Sequence, residues 1–188
     1  FVSVYGATDK ALFLNTKNND YKLVPLFDDY SFQIIDSGIK RILSDSAFND
    51  RKKMCDQSAK EMGLKYLCDK DIIDEKDKDL LSNNEFKVSK HVIEENIRCK
   101  KGSDALLNND PKLFGELMTQ SHNSLANDYA VSCQELDQLV QLCNEYGAMG
   151  AKLTGAGFGG AIVALVKNDL VEGLKKYIFK NYSNAKFI

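Results

Sequence analysis

Short apolar or alternating runs open the chain and predict β-strands. The runs cover residues 1–5, 11–16, 22–27 and 32–36. Polar clusters such as Lys17-Asn18-Asn19-Asp20 separate them, as turns separate short strands. The first 36 residues are therefore predicted to be mainly β-structure.

From Ser46 onward the apolar residues recur with a helical period. Ser46 is placed to cap a helix that runs to Met62 and stops at Gly63. A long helix is predicted from about Asn84 and is expected to break or end near Gly102. The stretch 69–79 alternates acidic residues with lysine, which indicates a solvated connecting segment.

Capping signals place two further helices. Asp110-Pro111 supplies an N-cap followed by proline at the first helical position, which is a strong start signal. Ser132-Cys133-Gln134-Glu135 matches a capping box, and Gly147 marks the end of the helix that follows it. After a glycine-rich run, three more elements are predicted: a strand over 161–166, a helix over 169–181 and the start of a strand over 185–188. Helices in immediate succession with few strands favour the α+β class over a doubly wound sheet.

Composition narrows the class of protein without identifying it. The 188 residues are 44% hydrophobic and 28% charged, which is typical of a soluble globular protein with one or two small domains. The net charge is −2, and Lys and Arg are spread along the chain, so no nucleic-acid partner is expected. The apolar runs are far shorter than a membrane span, and nothing resembles a signal peptide, so we expect a cytoplasmic protein without a membrane partner.

The cysteines and histidines give no metal signature. Five cysteines are an odd number, and none of them forms a C-x-x-C pair, which indicates reduced thiols that lie mostly in or near the core. His91 and His122 fall in helical patterns far apart in the sequence. Each is predicted to pack or to form hydrogen bonds rather than to catalyse.

Residues 150–160 hold five glycines and are the strongest functional signal in the chain. Glycine reaches positive φ freely, and bare backbone N–H groups in such a loop suit a phosphate. The alternative is a tight turn that packs against a neighbouring element. Both interpretations remain open at the level of sequence.

Three familiar glycine loops are excluded by their context. A dinucleotide-binding loop must follow a strand and open a helix, whereas here a helix is predicted before the loop and a strand after it. A P-loop ends in Gly-Lys-Ser/Thr, but Ala161 follows Gly160. The run Val163–Lys167 mimics the lysine strand of protein kinases, yet the chain contains neither His-Arg-Asp nor Asp-Phe-Gly.

The run Lys152-Leu153-Thr154-Gly155-Ala156-Gly157-Phe158-Gly159-Gly160 resembles the third signature motif of the GHMP kinases. Within that superfamily the resemblance narrows to the galactokinases and extends over nearly the whole chain. Segments similar to theirs are Phe1–Gly6, Ala11–Leu14, Val24–Leu26, Phe48–Arg51, Phe114–Met118, Ser121-His122, Ser124-Leu125, Asp128-Tyr129 and Ser132–Val140. Several motifs in the same order are far more specific than one glycine string.

The resemblance implies a fold and a division of the chain. Residues 31–188 are expected to form a GHMP kinase C-terminal domain, with helices packed on one face of an antiparallel sheet. Residues 1–30 are expected to be remnant strands of an N-terminal kinase domain. Both ends of the chain are expected to be truncated, because Phe1 and Ile188 each lie inside a predicted strand. By resemblance, the catalytic Asp and the Ser-rich phosphate loop lie upstream of Phe1.

The resemblance also implies an activity. The complete enzyme would be an ATP-dependent sugar 1-kinase of galactose metabolism that moves the γ-phosphate to the anomeric hydroxyl of galactose, with Mg²⁺. The Mg²⁺ ligands and the catalytic base are expected in the missing N-terminal part, so residues 1–188 alone are predicted to be inactive. The residues expected to line the phosphate side of the site are Lys152, Thr154, Gly155, Ala156, Gly157, Phe158, Gly159 and Gly160. Lys152 is open to two interpretations, a phosphate ligand or an ordinary solvated lysine.

Phe48 is the main departure from the family pattern. Galactokinases carry Tyr at the matching position, where its hydroxyl contacts the sugar, so Phe48 is a candidate substrate-binding residue. Phe-Asn followed by Arg is similar to the N-acetylgalactosamine kinases of the same family. Three alternatives to a galactokinase therefore remain: an N-acetylgalactosamine kinase, a non-catalytic galactose- and ATP-binding sensor, and an interaction domain whose glycine run is only a turn.

Overall fold

The computed structural model describes the backbone of residues 2–40 and 45–188 and the side chains of residues 3–40 and 49–188. Two short 3₁₀ turns, at Leu67–Asp69 and Asn168–Leu170, accompany the main elements. The helices and strands within the described residues are, in chain order, α1 (Val2–Tyr5), β1 (Lys10–Leu14), β2 (Tyr21–Pro25), β3 (Tyr30–Asp36), α2 (Asp45–Glu61), α3 (Glu75–Leu80), α4 (Asn83–Leu107), α5 (Pro111–Asn127), α6 (Gln134–Tyr146), β4 (Gly150–Thr154), β5 (Ala161–Lys167), α7 (Val171–Asn181) and β6 (Lys186–Phe187).

Four strands form the central antiparallel sheet in the order β4-β5-β3-β6. The long pairing of β3 with β5 places Ile34 opposite Val163, and β4 and β5 form a hairpin. Helices connect β3 to β4, and α7 connects β5 to β6, which is the split β-α-β-β-α-β arrangement. The predicted α+β class is confirmed.

One face of the sheet packs against α6 and α7. Alternate side chains of the strands, such as Ile35 and Ile162, meet Leu136 and Leu139 of α6 and Ile178 of α7. All five side chains are completely buried. Strand side chains alternate between the two faces, so β4 and β5 contribute every second residue to this core, and β3 contributes Ile35. The expected packing of helices on an antiparallel sheet is confirmed, and α6 and α7 are the helices on this face.

The opposite face of the sheet contacts the β1-β2 hairpin and the α4-α5 pair. Val24 and Phe27 join Leu165 of β5 in a second apolar cluster, to which α4 and α5 also contribute. The Phe114 ring of α5 meets the rings of Phe27 and Phe32 edge-on, at centroid distances of 5.8 and 5.7 Å. Aromatic pairs favour this edge-to-face arrangement. The predicted domain boundary at residue 30 stays a prediction.

Two expectations about the first half of the chain are wrong. Val2–Tyr5 forms a turn of helix rather than a strand. The long helix α4 neither breaks nor ends at Gly102 but continues to Leu107. Gly102 lies inside α4 and faces the Phe114 ring of α5, which is 3.5 Å from the position that a Cβ would occupy. This is an ordinary van der Waals distance, so the contact does not require a glycine, and the glycine does not end the helix.

Two predicted helix ends are confirmed, and one is not. The Asp110 carboxylate accepts the Leu113 N–H ahead of Pro111, and Gly147 ends α6 with φ of 108°. The capping box at residues 132–135 is wrong. The N-cap of α6 is Cys133, which makes no side-chain cap, and the Ser132 hydroxyl instead donates to the Asp137 carboxylate.

The acidic and basic stretch 69–79 is more ordered than its composition suggests. It includes the start of α3, capped by the Asp74 carboxylate, which accepts the N–H groups of Lys76 and Asp77. Asp77 is buried and pairs with Lys70. Among the helices of the described residues, none combines the length and apolar character needed to cross a bilayer.

Candidate functional site

The glycine-rich run consists of two structural parts. Residues 150–154 form strand β4, and residues 155–160, here called the glycine loop, connect β4 to β5. The sequence predicted one continuous loop preceded by a helix, which is wrong for its first half. A dinucleotide-binding loop is still excluded, because a strand and not a helix follows Gly160.

The glycine loop has an unusual backbone conformation. Gly155, Gly157, Gly159 and Gly160 have φ of 81°, 79°, 108° and 82°, and Phe158 has φ of 56°. A non-glycine residue in this region carries a cost of about 1–2 kcal/mol. Such a conformation persists only where the surrounding structure holds it. For Phe158, that support includes packing of its side chain against the core formed with α6 and α7.

Backbone hydrogen bonds anchor the loop on two sides. The Phe158 N–H donates to the Val131 carbonyl at 2.8 Å, and the Gly160 N–H donates to the Ile39 carbonyl at 3.0 Å. The Gly160 carbonyl accepts both the N–H and the hydroxyl of Ser37, at 2.8 and 2.7 Å. The loop is therefore fixed between the segment that follows α5 and the segment that follows β3.

Steric contact inside the protein explains two of the glycines. A Cβ at Gly157 would lie 2.1 Å from the Val131 carbonyl oxygen, and one at Gly159 would lie 3.0 Å from that of Ile39.

Some backbone N–H groups of the loop remain for a ligand. Since the N–H groups of Phe158 and Gly160 donate internally, at most those of Gly155, Ala156, Gly157 and Gly159 remain for a phosphate oxygen. Gly155 is exposed, and Ala156 is half-buried. These two residues are the accessible tip of the loop.

Lys152 is neither a free cation nor a solvated side chain. Its Nζ lies 3.0 Å from Glu95 Oε1 and donates to the Ser121 hydroxyl at 2.6 Å. The Arg98 Nε donates to the other oxygen of Glu95 at 2.7 Å, and Ser121 also donates to Glu95. We call Glu95, Arg98, Ser121 and Lys152 the Glu95 cluster. It joins α4, α5 and β4.

Electrostatics keep Glu95 ionised. Burial alone would raise the pKa of its carboxyl, but the charge of Lys152 and hydrogen bonds from Ser121 and Arg98 lower the pKa to about 2. A carboxylate that accepts several hydrogen bonds beside cations strongly favours its charged form. Lys152 thus has a partner at every physiological pH. Through these bonds Lys152 holds strand β4 against α4 and α5, and β4 leads into the glycine loop.

Thr154 and an apolar cleft complete the surroundings of Lys152. Thr154 is half-buried at the end of β4, and strand alternation places it on the same sheet face as Lys152. A cleft of about 200 Å³ lies between the β1-β2 hairpin, α4 and α5, and Lys152 is at its polar end. No residue of the glycine loop lines this cleft.

Phe48 lies in the first turn of α2, but its side chain is outside the described residues. Its predicted contact with the sugar therefore stays a prediction. One turn further along α2, the Arg51 Nε donates to the Tyr129 carbonyl at 2.6 Å. That carbonyl is two residues before Val131, the acceptor for Phe158.

The two histidines have the structural roles predicted for them. His122 Nδ1 accepts the Leu153 N–H at 3.3 Å, and its Nε2 lies 3.3 Å from the Asp137 carboxylate. Burial lowers the pKa of His122, and an accepting Nδ1 requires the neutral ring with its proton on Nε2.

The His91 ring stacks on Tyr129 at 4.6 Å, and burial lowers the pKa of His91 to about 4. In the described part of the chain, no group of three or more His, Cys, Asp or Glu residues is arranged to hold a metal ion.

Comparison with known proteins gives matches of sequence and of structure. Residues 103–184 match the family described as GHMP kinases C terminal. The galactokinase of Thermococcus kodakarensis is 35% identical over 188 residues, which cover 98% of this chain and 52% of that protein. The galactokinase of Clostridium perfringens strain SM101 is 38% identical over 193 residues, with coverages of 98% and 50%.

Solved structures give the same result. A crystal structure of Lactococcus lactis galactokinase complexed with galactose matches 97% of this chain and 50% of that chain, with a TM-score of 0.90 and 31% identity. A structure of L. major mevalonate kinase in complex with R-mevalonate matches 94% of this chain and 46% of that one, with a TM-score of 0.62 and 25% identity.

The fold, the glycine loop and the family match define the class: the chain belongs to the GHMP kinases. Within that class, the relatives that match it along nearly its whole length are galactokinases. The chain spans about half the length of the curated relatives it matches.

Proposed function

We propose that the complete protein is a galactokinase that transfers the γ-phosphate of ATP to the anomeric hydroxyl of galactose. In this proposal, the present chain supplies the glycine-loop side of the active site. The observation that carries the proposal is the match, at a TM-score of 0.90, between 97% of the chain and a galactokinase that binds galactose. The identities of 35–38% to curated galactokinases support it.

The glycine loop fits the role of a rigid wall beside the sugar and the transferred phosphate. Phosphoryl transfer depends mainly on positioning and on electrostatic stabilisation. The loop is anchored through Phe158 and Gly160, while Gly155 and Ala156 form its accessible tip. In our proposal the backbone of this tip approaches the substrate or ATP, and the anchors keep its position fixed during the reaction.

Lys152 contributes to the proposed site indirectly. Its charge is matched by Glu95, so a direct bond to phosphate would require it to leave a buried partner. We propose that it fixes the strand from which the loop emerges. Thr154, at the end of that strand, lies between Lys152 and the loop and is proposed to line the site with it.

Mg²⁺ and the catalytic base are not assigned to residues of this chain. Among the described residues, no group of three or more His, Cys, Asp or Glu residues is arranged to hold the ion. We propose that ATP is the phosphate donor. By family resemblance, the base and the ligands for Mg²⁺ belong to a part of the complete protein outside residues 1–188.

Phe48 bears on which sugar is phosphorylated. Phe48 lacks the hydroxyl that galactokinases place at this position, and this observation favours N-acetylgalactosamine as a second candidate substrate. We expect Phe48→Tyr to lower the KM for galactose by at most about tenfold, the equivalent of one hydrogen bond of ~1.4 kcal/mol, if galactose is the natural substrate. If N-acetylgalactosamine is natural, the added hydroxyl should leave that sugar's kcat/KM unchanged or reduce it. Steady-state kinetics with both sugars separates the two cases, and no change with either would remove Phe48 from the site.

The proposed function is tested by coupled measurement of ADP release with ATP and each sugar. We expect turnover by the complete protein and none by a protein that consists of residues 1–188 alone. Turnover by the isolated 188 residues, freed of host kinases, would contradict the placement of the base and the Mg²⁺ ligands outside this chain. A complete protein that binds galactose in calorimetry without releasing ADP would be a sensor and not a kinase.

A further inference from the structure

A contact between α2 and the support of the glycine loop suggests a role for Arg51. Its Nε donates to the Tyr129 carbonyl at 2.6 Å, although the two residues are 78 positions apart in the chain. Arg51 is half-buried, and its Nη1 lies 3.7 Å from the Met54 sulfur one turn later. A hydrogen bond from a charged donor is stronger than one between neutral groups.

The acceptor belongs to a short segment, residues 129–131, with little freedom to move. The Tyr129 N–H donates to the Ser124 carbonyl and the Val131 N–H to the Leu125 carbonyl, so the segment is tied to the end of α5. Ala130, between them, has φ of 54°. The Tyr129 ring stacks on His91 of α4.

The same segment carries the glycine loop. The Val131 carbonyl accepts the Phe158 N–H at 2.8 Å, and its oxygen occupies the space in which a side chain at Gly157 would lie. A shift of this carbonyl would therefore move the middle of the loop. The other end of the loop is anchored independently, through Gly160 and Ile39.

We propose that Arg51 is a positioning residue: by holding the Tyr129 carbonyl, it fixes the Val131 carbonyl and thereby sets the glycine loop relative to α2. Phe48 lies one turn before Arg51 on that helix, so the arginine links the two predicted sides of the substrate site. The catalytic consequence rests on the proposed kinase function. The mechanical link, by which Arg51 fixes the glycine loop through residues 129–131, is independent of that function.

Backbone hydrogen exchange in the complete protein tests the mechanical link directly. In Arg51→Met, which keeps a similar apolar side chain but removes the donor, we expect the Phe158 amide to exchange at least ~10-fold faster. The Gly160 amide and the amides of strand β5 should keep their wild-type rates, because their partners are untouched. Arg51→Lys, which retains one charged donor, should restore most of the protection of Phe158. Arg51→Gln replaces the Met variant if that variant is not folded.

Lys52→Met provides the matched control, since Lys52 is the next residue of α2 and its side chain is 70% exposed. It should leave all of these exchange rates unchanged. Unchanged protection of Phe158 in the Arg51 variants would overturn the proposal. An equal acceleration of Phe158, Gly160 and the β5 amides would also overturn it, because Arg51 would then contribute only to global stability.

Kinetics supply the second arm of the test. In Arg51→Met we expect kcat to fall by about tenfold or more while the KM for ATP changes less than twofold, with partial rescue by Arg51→Lys. Unchanged kcat in a variant with selective exchange at Phe158 would overturn the positioning role. A wild-type protein without turnover would instead refute the proposed function, and the exchange experiment would still decide whether the link exists.

Discussion

Replacement of Gly157 by alanine will destabilise the protein by at least about 3 kcal/mol and lower the kcat of the complete protein by about a hundredfold. The new Cβ would lie 2.1 Å from the Val131 carbonyl oxygen, so backbone must move on one side or the other. Its φ of 79° adds strain of about 1–2 kcal/mol for any L-residue. Catalysis is sensitive to displacements of about 1 Å, which gives the expected loss of rate. Urea unfolding and steady-state kinetics measure the two effects.

Gly63→Ala is a matched control for the strain alone. Gly63 has φ of 67°, and nothing lies within 4 Å of the position of its Cβ. It should cost only about 1–2 kcal/mol and leave kcat unchanged. Equal effects of the two substitutions would show that the contact with Val131 is unimportant. The structure directs a side chain at Gly157 into the protein, towards the Val131 carbonyl, so the fold is affected as well as the loop.

Replacement of Glu95 by glutamine should cost about 3 kcal/mol at pH 7, because Lys152 and Arg98 lose their shared counter-charge. Breaking a buried ion pair costs about 3–5 kcal/mol, and the lower end of that range applies here because the Glu95 side chain is 21% exposed. The difference should depend on pH. In the unfolded chain Glu95 titrates near 4.5, whereas in the fold its pKa is about 2. The stabilisation is therefore fully present above about pH 4.5 and is lost as the pH falls towards 2.

Unfolding curves of wild type and Glu95→Gln between pH 7 and pH 2.5 measure this difference. The two proteins should converge in stability as the pH falls. Glu94→Gln is the control, because Glu94 lies 3.3 Å from the same arginine but is 36% exposed. Because the Glu94 carboxylate is open to solvent, its pair with Arg98 should be worth at most about 1 kcal/mol. A cost for Glu95→Gln that stays constant down to pH 2.5 would contradict the low pKa of Glu95.

Local signals in the sequence predicted much of the fold. Asp110-Pro111 and Gly147 act at the positions expected of them, because capping involves only neighbouring backbone groups. Gly102 resembles a helix end in the sequence, yet α4 continues through it, because packing against α5 outweighs the low helix propensity of one residue. Strand β4 is equally hard to predict, because its first residue is a glycine. Gly150 is required there by a contact with α5, since a Cβ would lie 2.0 Å from the Gly115 carbonyl oxygen.

In the candidate site, too, local features can be predicted from the sequence and long-range contacts cannot. The glycine loop stands out in the sequence because glycines at positive φ are a local requirement. The Glu95 cluster does not, since Glu95 and Lys152 are 57 positions apart and nothing in the helical pattern of α4 distinguishes Glu95 from a surface glutamate. The contact of Arg51 with Tyr129 spans 78 positions and is equally hidden. Long-range pairs of this kind become visible only when the chain is folded.

The His122 ring has a consequence for aggregation. β4 is the outermost strand of the central sheet on its side, and an open strand edge is a template on which other copies can pair. Here α5 covers that edge: its backbone touches that of β4 at Gly115 and Gly150, and His122 Nδ1 accepts the Leu153 N–H. Acid that protonates Nδ1 turns this acceptor into a donor and releases the strand's N–H group. Burial lowers the pKa of His122 and so keeps the neutral, accepting ring present to lower pH. The α5 helix therefore shields the β4 edge from pairing with another strand for as long as His122 stays neutral.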